Sequence, residues 1–110
     1  MKPRMFNFSS WIVETNPTFL KDGLSELLSQ CGYKVISHSE HFFSPHGYTC
    51  LWLLAESHLA VHTFPESGCS YIELTGCNEL KNEVFVSGFS VFFPVGIYDC
   101  KPKGANAAKP

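Results

Sequence analysis

Residues 16–32 spell out a helix with both ends marked. Asn16-Pro17 reads as an N-cap followed by proline at the first helical position, where an N–H would be unpaired anyway. Phe19, Leu20, Leu24, Leu27, Leu28 and Cys31 recur at helical spacing, and Gly32 supplies the left-handed residue that closes the last turn. A helix with one apolar face cannot stand alone in water, so that face must lie on a sheet.

The rest of the chain offers the strands. Residues 5–14 alternate, with Phe6, Phe8 and Ile12 on one side. Residues 33–38 read as a second strand, Ser44-Pro45-His46-Gly47 as a turn, and the apolar stretch 48–56 as a buried strand. Residues 58–64 alternate again: His58, Ala60, His62 and Phe64 face one way, Leu59, Val61 and Thr63 the other. Residues 65–68 form a tight turn, and 69–75 return antiparallel. Residues 79–93 fit both periods, since Phe85, Phe89 and Phe92 suit a helix while Phe85, Phe89, Val91 and Phe93 suit a strand. The expectation is a short helical turn near 78–83 followed by a strand. The sum is an α+β two-layer sandwich, an antiparallel sheet covered on one face by helix. At 110 residues it is one domain over 1–100, with 101–110 (KPKGANAAKP) expected as a frayed, flexible tail.

Charge and composition narrow the partners. Eight Lys/Arg against ten Asp/Glu leave no basic surplus to displace counterions, which argues against nucleic acid. A chain that is 45% hydrophobic and only 16% charged is too apolar for disorder. It also suggests that a second copy hides part of the surface, so a homodimer is expected. No apolar run is long enough to cross a bilayer, and Asn7, Ser9, Ser10 and Glu14 interrupt any signal core. A cytoplasmic protein without a membrane partner is expected. The cysteines, at 31, 50, 69, 77 and 100, are odd in number and include no C-x-x-C, as suits reduced thiols.

The segment LLAESHLAVHTFPESGCSYIELTGC, residues 53–77, carries the chemistry. Glu56-Ser57-His58 lies between two apolar strands, and His62 shares a strand face with His58. Cys77 ends the returning strand. Pairing through the 65–68 turn would bring Cys77 back toward Ser57, so a hydroxyl, an imidazole and a thiol could converge in one pocket.

These residues resemble the self-processing and active-site region of the bacterial and archaeal S-adenosylmethionine decarboxylases, which are pyruvoyl-dependent. The Glu-Ser-His cleavage site matches Glu56-Ser57-His58. The His-Thr-aromatic-Pro-Glu run matches His62-Thr63-Phe64-Pro65-Glu66, and the upstream His-x-Phe-x-Pro-x-Gly matches residues 41–47. Cys77 falls where the family has its catalytic cysteine. The resemblance runs in order over residues 19–77.

The resemblance implies a chemistry that explains the residue types. Decarboxylation of an α-amino acid needs an electron sink, which here would be a covalent pyruvoyl group made from Ser57 rather than pyridoxal phosphate. Ser57 would attack the Glu56 carbonyl, and elimination and hydrolysis would leave chains 1–56 and 57–110, the second blocked by pyruvoyl. The substrate amine would form a Schiff base with that ketone. His62 would move the proton in the elimination, because imidazole titrates near neutrality. Thr49 stands at a family serine that hydrogen-bonds the scissile region. Cys77 would protonate the substrate carbon after CO2 leaves. Phe43 and Phe64 would sandwich the adenine, and Glu66 would contact the nucleoside. The processed protomers would form a dimer with active sites near the interface.

Other readings carry less of the pattern. The chain departs from the family after Cys77, where Gly76 precedes the cysteine instead of a glycine following it. That departure bears on the substrate, and leaves a pyruvoyl decarboxylase of arginine or ornithine as the alternative enzyme. A non-catalytic homologue is a further alternative, although Glu56, Ser57, His62 and Cys77 are all present. Cys31, Cys50, Cys69 and Cys100 read as packing residues. The five histidines close no zinc pattern, so no metal is expected, and the absence of G-x-S-x-G argues against a Ser-His hydrolase.

Overall fold

A computed structural model describes residues 2–93. The chain runs β1 (Phe6–Ile12), α1 (Pro17–Gln30), β2 (Val35–Phe42), β3 (Tyr48–Leu54), β4 (Ser57–Phe64), a short 3-10 turn (Pro65–Ser67), β5 (Cys69–Gly76) and α2 (Glu79–Phe92). The five strands form one sheet in the order β1-β5-β4-β3-β2, with each neighbouring pair antiparallel. Both helices lie on one face, so the architecture is the expected α+β two-layer sandwich.

The helix α1 forms as its punctuation dictates. The Asn16 side chain accepts from the Phe19 amide at 2.9 Å, and Gly32 adopts a φ of +84°. Leu20, Leu24, Leu27 and Leu28 are fully buried, each burial stabilising by about 1.5–3 kcal/mol. They meet the helix-facing side of the sheet, which carries Tyr48, Cys50, Trp52 and Leu54 from β3, Leu59 and Val61 from β4, and Ile72 and Leu74 from β5. Trp52 satisfies its indole by donating from Nε1 to Ser25 Oγ at 3.1 Å.

Two expectations are corrected. Residues 79–93 do not turn into a strand: α2 is continuous from Glu79 to Phe92. Its Asn78 cap accepts from the Lys81 amide at 2.9 Å. Phe85 and Phe89 recur one turn apart and pack edge-on against Phe8 of β1. The β-like composition yields because burial of that aromatic stripe outweighs local propensity. Gly88 lets α2 approach α1, since a Cβ there would lie 2.5 Å from Leu27 Cδ1. The second strand also starts later and runs further than 33–38. β2 is an edge strand exposed along its whole length, so burial leaves no alternation in its sequence to mark its ends.

Cys31, Cys50 and Cys69 are buried free thiols, as packing residues should be. Cys100 and the tail 101–110 lie outside the described residues. Among the described residues no helix is long and apolar enough to cross a membrane.

Among the described residues no layer covers the opposite face of the sheet. Leu51 and Leu53 of β3 are about half exposed there. Trp11, Phe64 and Tyr71 form an aromatic cluster on the same face, with Trp11 at 5.8 Å from Phe64 and 5.0 Å from Tyr71 between ring centroids.

Candidate active site

The β3–β4 hairpin places the Glu-Ser-His motif at a tight turn. Leu54 pairs with Ser57, so Ala55 and Glu56 alone make the connection. Glu56 has a φ of +60°, a conformation that favours glycine and costs a side-chain-bearing residue about 1–2 kcal/mol. The strain therefore sits beside the 56–57 peptide bond.

Ser57 begins β4 with its side chain on the helix-facing side, and is 8% exposed. It pairs across the ladder with Gly76 of β5. A Cβ on Gly76 would lie 2.5 Å from Ser57 Oγ, so only glycine leaves that oxygen room. Tyr33 Oη borders the same space at 3.7 Å and has no hydrogen-bond partner among the described residues, although Tyr33 is only 7% exposed. Neither Tyr33 nor Gly76 was singled out for the site by the sequence. The glycine preceding Cys77 was the available signal, but its meaning depends on which residue faces it.

Cys77 does return to the Glu56-Ser57 turn. It is exposed, and its thiol donates to Glu56 Oε1 at 3.4 Å, with the Glu56 carbonyl at 3.7 Å. The hydrogen bond to the Glu56 carboxylate, helped by desolvation and repulsion, holds the thiol above its ordinary pKa. At neutral pH it is a protonated donor.

The imidazole does not converge with them. His62 lies five residues along β4, about 16 Å away at about 3.3 Å per residue, on the uncovered face. There the other expected residues assemble. Thr49 is its cross-strand partner, with Oγ1 3.0 Å from His62 Nδ1. Phe43, Thr49, His62, Phe64 and Glu66 line one cavity of about 310 Å³ together with His46. His46 Nε2 sits 3.2 Å from Glu66 Oε1. Burial pushes the His62 imidazole below its ordinary pKa, with the Glu73 carboxylate pulling weakly the other way. A neutral imidazole with one nitrogen fixed by a hydroxyl is suited to accept a proton.

The expectation of one convergent pocket is thus corrected within this chain. The alternation of the strand puts residue 57 and residue 62 on opposite faces, and the strand length separates them. One end of the sheet holds Glu56, Ser57 and Cys77; the other holds Phe43, Thr49, His62, Phe64 and Glu66.

Comparison with known proteins identifies the family. Residues 12–103 match the sequence profile described as S-adenosylmethionine decarboxylase. The chain belongs to the S-adenosylmethionine decarboxylase family. It is 44% identical over 59 residues to the S-adenosylmethionine decarboxylase proenzyme of Symbiobacterium thermophilum, covering 54% of this chain and 45% of that one. It is 44% identical over 61 residues to the proenzyme of Brevibacillus brevis, covering 56% and 46%. The proenzyme of the archaeon Methanococcus aeolicus is 39% identical over 59 residues, 54% and 50%. The aligned region of this chain spans about half the length of these relatives. The adenosylmethionine decarboxylase of Aquifex aeolicus has the same fold, with a TM-score of 0.69 at 20% identity over 84% of this chain and 82% of that one. The two-layer fold with helices on one face is thus shared with a solved member of the S-adenosylmethionine decarboxylase family.

Proposed function

We propose that the chain is a self-processing, pyruvoyl-dependent decarboxylase that acts on S-adenosylmethionine. The observation that carries this is the pairing of Ser57 with Gly76, which leaves the serine oxygen room beside a strained Glu56 while the Cys77 thiol rests on Glu56. Family membership supplies the rest of the support.

The residues fit the group they would have to make. Ser57 Oγ attacks the Glu56 carbonyl, and the peptide becomes an ester. The left-handed Glu56 is released from its strain as that bond breaks. Loss of the Ser57 α-proton expels the Glu56 carboxylate, and hydrolysis of the resulting dehydroalanine releases ammonia and leaves pyruvoyl at the start of residues 57–110. His62 takes the α-proton, and Thr49 fixes the imidazole through Nδ1. Once formed, the pyruvoyl ketone would supply the electron sink that decarboxylation needs. Cys77, held protonated by Glu56, delivers a proton to the product carbon. Phe43 and Phe64 offer ring faces to an adenine and a sulfonium, and Glu66 a carboxylate to the nucleoside. That aromatic cavity favours S-adenosylmethionine over a basic amino acid. The product would serve spermidine synthesis.

In this reading a second copy supplies the His62 that one chain cannot bring to its own Ser57. Antiparallel packing of two uncovered sheet faces would set the Ser57 end of each protomer against the His62 end of the other. It would also cover Leu51, Leu53 and the Trp11 cluster. A homodimer of cleaved protomers accounts for both the divided site and the exposed apolar face.

Intact mass under denaturing conditions tests the reading. Two fragments, 1–56 and a pyruvoyl-blocked 57–110, are expected. A chain still whole after prolonged incubation would overturn it in favour of a non-catalytic homologue. Decarboxylation of S-adenosylmethionine, arginine and ornithine, assayed side by side, then fixes the substrate.

A further inference from the structure

Among the described residues, the buried Tyr33 hydroxyl is the side-chain polar group left without a hydrogen-bond partner. A buried hydroxyl without a partner is costly, and a native one calls for a reason. Tyr33 leaves α1 through the Gly32 turn and is anchored by its amide, which donates to the Leu28 carbonyl at 3.0 Å. Lys81 of α2 lies over its ring, with Nζ 5.5 Å from the centroid. The ring is therefore held from two helices, and its oxygen ends at the space that Gly76 leaves empty. Ser57 Oγ borders the same space.

We propose that Tyr33 donates a hydrogen bond to the Ser57 oxygen during self-processing, stabilising it as it departs with the Glu56 carboxylate. The assignment rests on the processing reading above. In the elimination step the Ser57 Cα–H bond breaks and its proton goes to the base. The electron pair forms the Cα=Cβ double bond, and the Cβ–Oγ bond breaks with its pair remaining on oxygen. That oxygen becomes part of the new Glu56 carboxylate, and negative charge grows on it beside Tyr33. Tyr33 keeps its proton and shares it in a hydrogen bond. Burial, with the Cys31 and Cys77 sulfurs nearby, keeps the phenol protonated, so it serves as donor and not as base. A preorganised donor beside developing charge is the kind of group whose removal costs about 10²-fold or more in rate.

The step acted on is elimination, not the acyl shift that precedes it. Tyr33→Phe keeps the ring and the core contacts and removes only the donor. Freshly refolded wild type and Tyr33→Phe are followed by intact mass, with and without hydroxylamine, which cleaves the ester but not the peptide. Tyr33→Phe is expected to accumulate hydroxylamine-sensitive ester at residues 56–57 and to form pyruvoyl at least tenfold more slowly. A core residue with only a packing role would lower thermal stability without trapping the ester. Replacement of Tyr33 by 3-fluorotyrosine, a near-isosteric and stronger donor, is expected to shorten the ester's lifetime. Pyruvoyl formation by Tyr33→Phe at the wild-type rate, or slowing without ester, overturns the assignment while leaving the enzyme reading intact. A wild-type chain that never cleaves overturns both.

Discussion

Thr49 Oγ1 lies 3.0 Å from His62 Nδ1 across the β3–β4 ladder. Fixing one imidazole nitrogen leaves the other free for proton transfer. Thr49→Val should therefore slow pyruvoyl formation by about tenfold or more, with Thr49→Ser restoring most of it. Time courses of fragment formation by intact mass give the comparison; equal rates for Thr49→Val and wild type would remove Thr49 from the mechanism.

The same imidazole sets a pH limit. Burial lowers the His62 pKa in the folded chain, so below the ordinary imidazole value the unfolded chain takes up the proton first. The stabilisation from a neutral His62 is present above that value and is lost as pH falls toward the folded one. Processing should hold its rate below pH 6.5, the ordinary histidine value, and then fall as His62 protonates. A rate profile from pH 4.5 to 8 tests this, and an acid limb centred above pH 6.5 would contradict it.

Cys77 and Glu56 form a second coupled pair. In an uncleaved Ser57→Ala chain, Glu56→Gln removes the carboxylate that holds the thiol protonated. Cys77 should then alkylate faster with iodoacetamide at pH 8, because the thiolate is the reacting species. Peptide mapping isolates Cys77 from the other cysteines. An unchanged rate would mean that Glu56 does not control it. In the processed enzyme, Cys77→Ala should depress substrate turnover far more than cleavage.

Gly76→Ala puts a methyl 2.5 Å from Ser57 Oγ. The serine must move, and overpacking of this kind costs about 1–3 kcal/mol. Cleavage should slow sharply in a chain that still folds. Wild-type cleavage by Gly76→Ala would show that the space is not needed.

Divided sites should complement. His62→Ala protomers keep Ser57, and Ser57→Ala protomers keep His62. Neither alone should cleave, but co-expressed they should process the His62→Ala chains within mixed dimers. No cleavage on mixing, with dimers demonstrated by native mass, would mean that the site does not draw on two copies.

The helix at 17–30 and the hairpin strands were legible because their signals are local. An asparagine cap, a proline, a closing glycine and alternating side chains act within a few residues. The co-linear motif likewise named Ser57, His62 and Cys77 as candidate site residues. The edge strand β2 escaped because all its side chains face solvent and its hydrogen bonds come from β3.

By itself, the sequence determined the two-layer class, the boundaries of α1 and the residue types proposed for the site. Tertiary structure decided the rest. It made 79–92 a helix, because only packing against Phe8 and Leu27 distinguishes helix from strand in that aromatic run. It set Tyr33 and Gly76 around Ser57, residues brought together by a ladder and a turn and not by proximity in the chain. It also separated Ser57 from His62, because a strand that alternates its faces over five residues cannot deliver both side chains to one point.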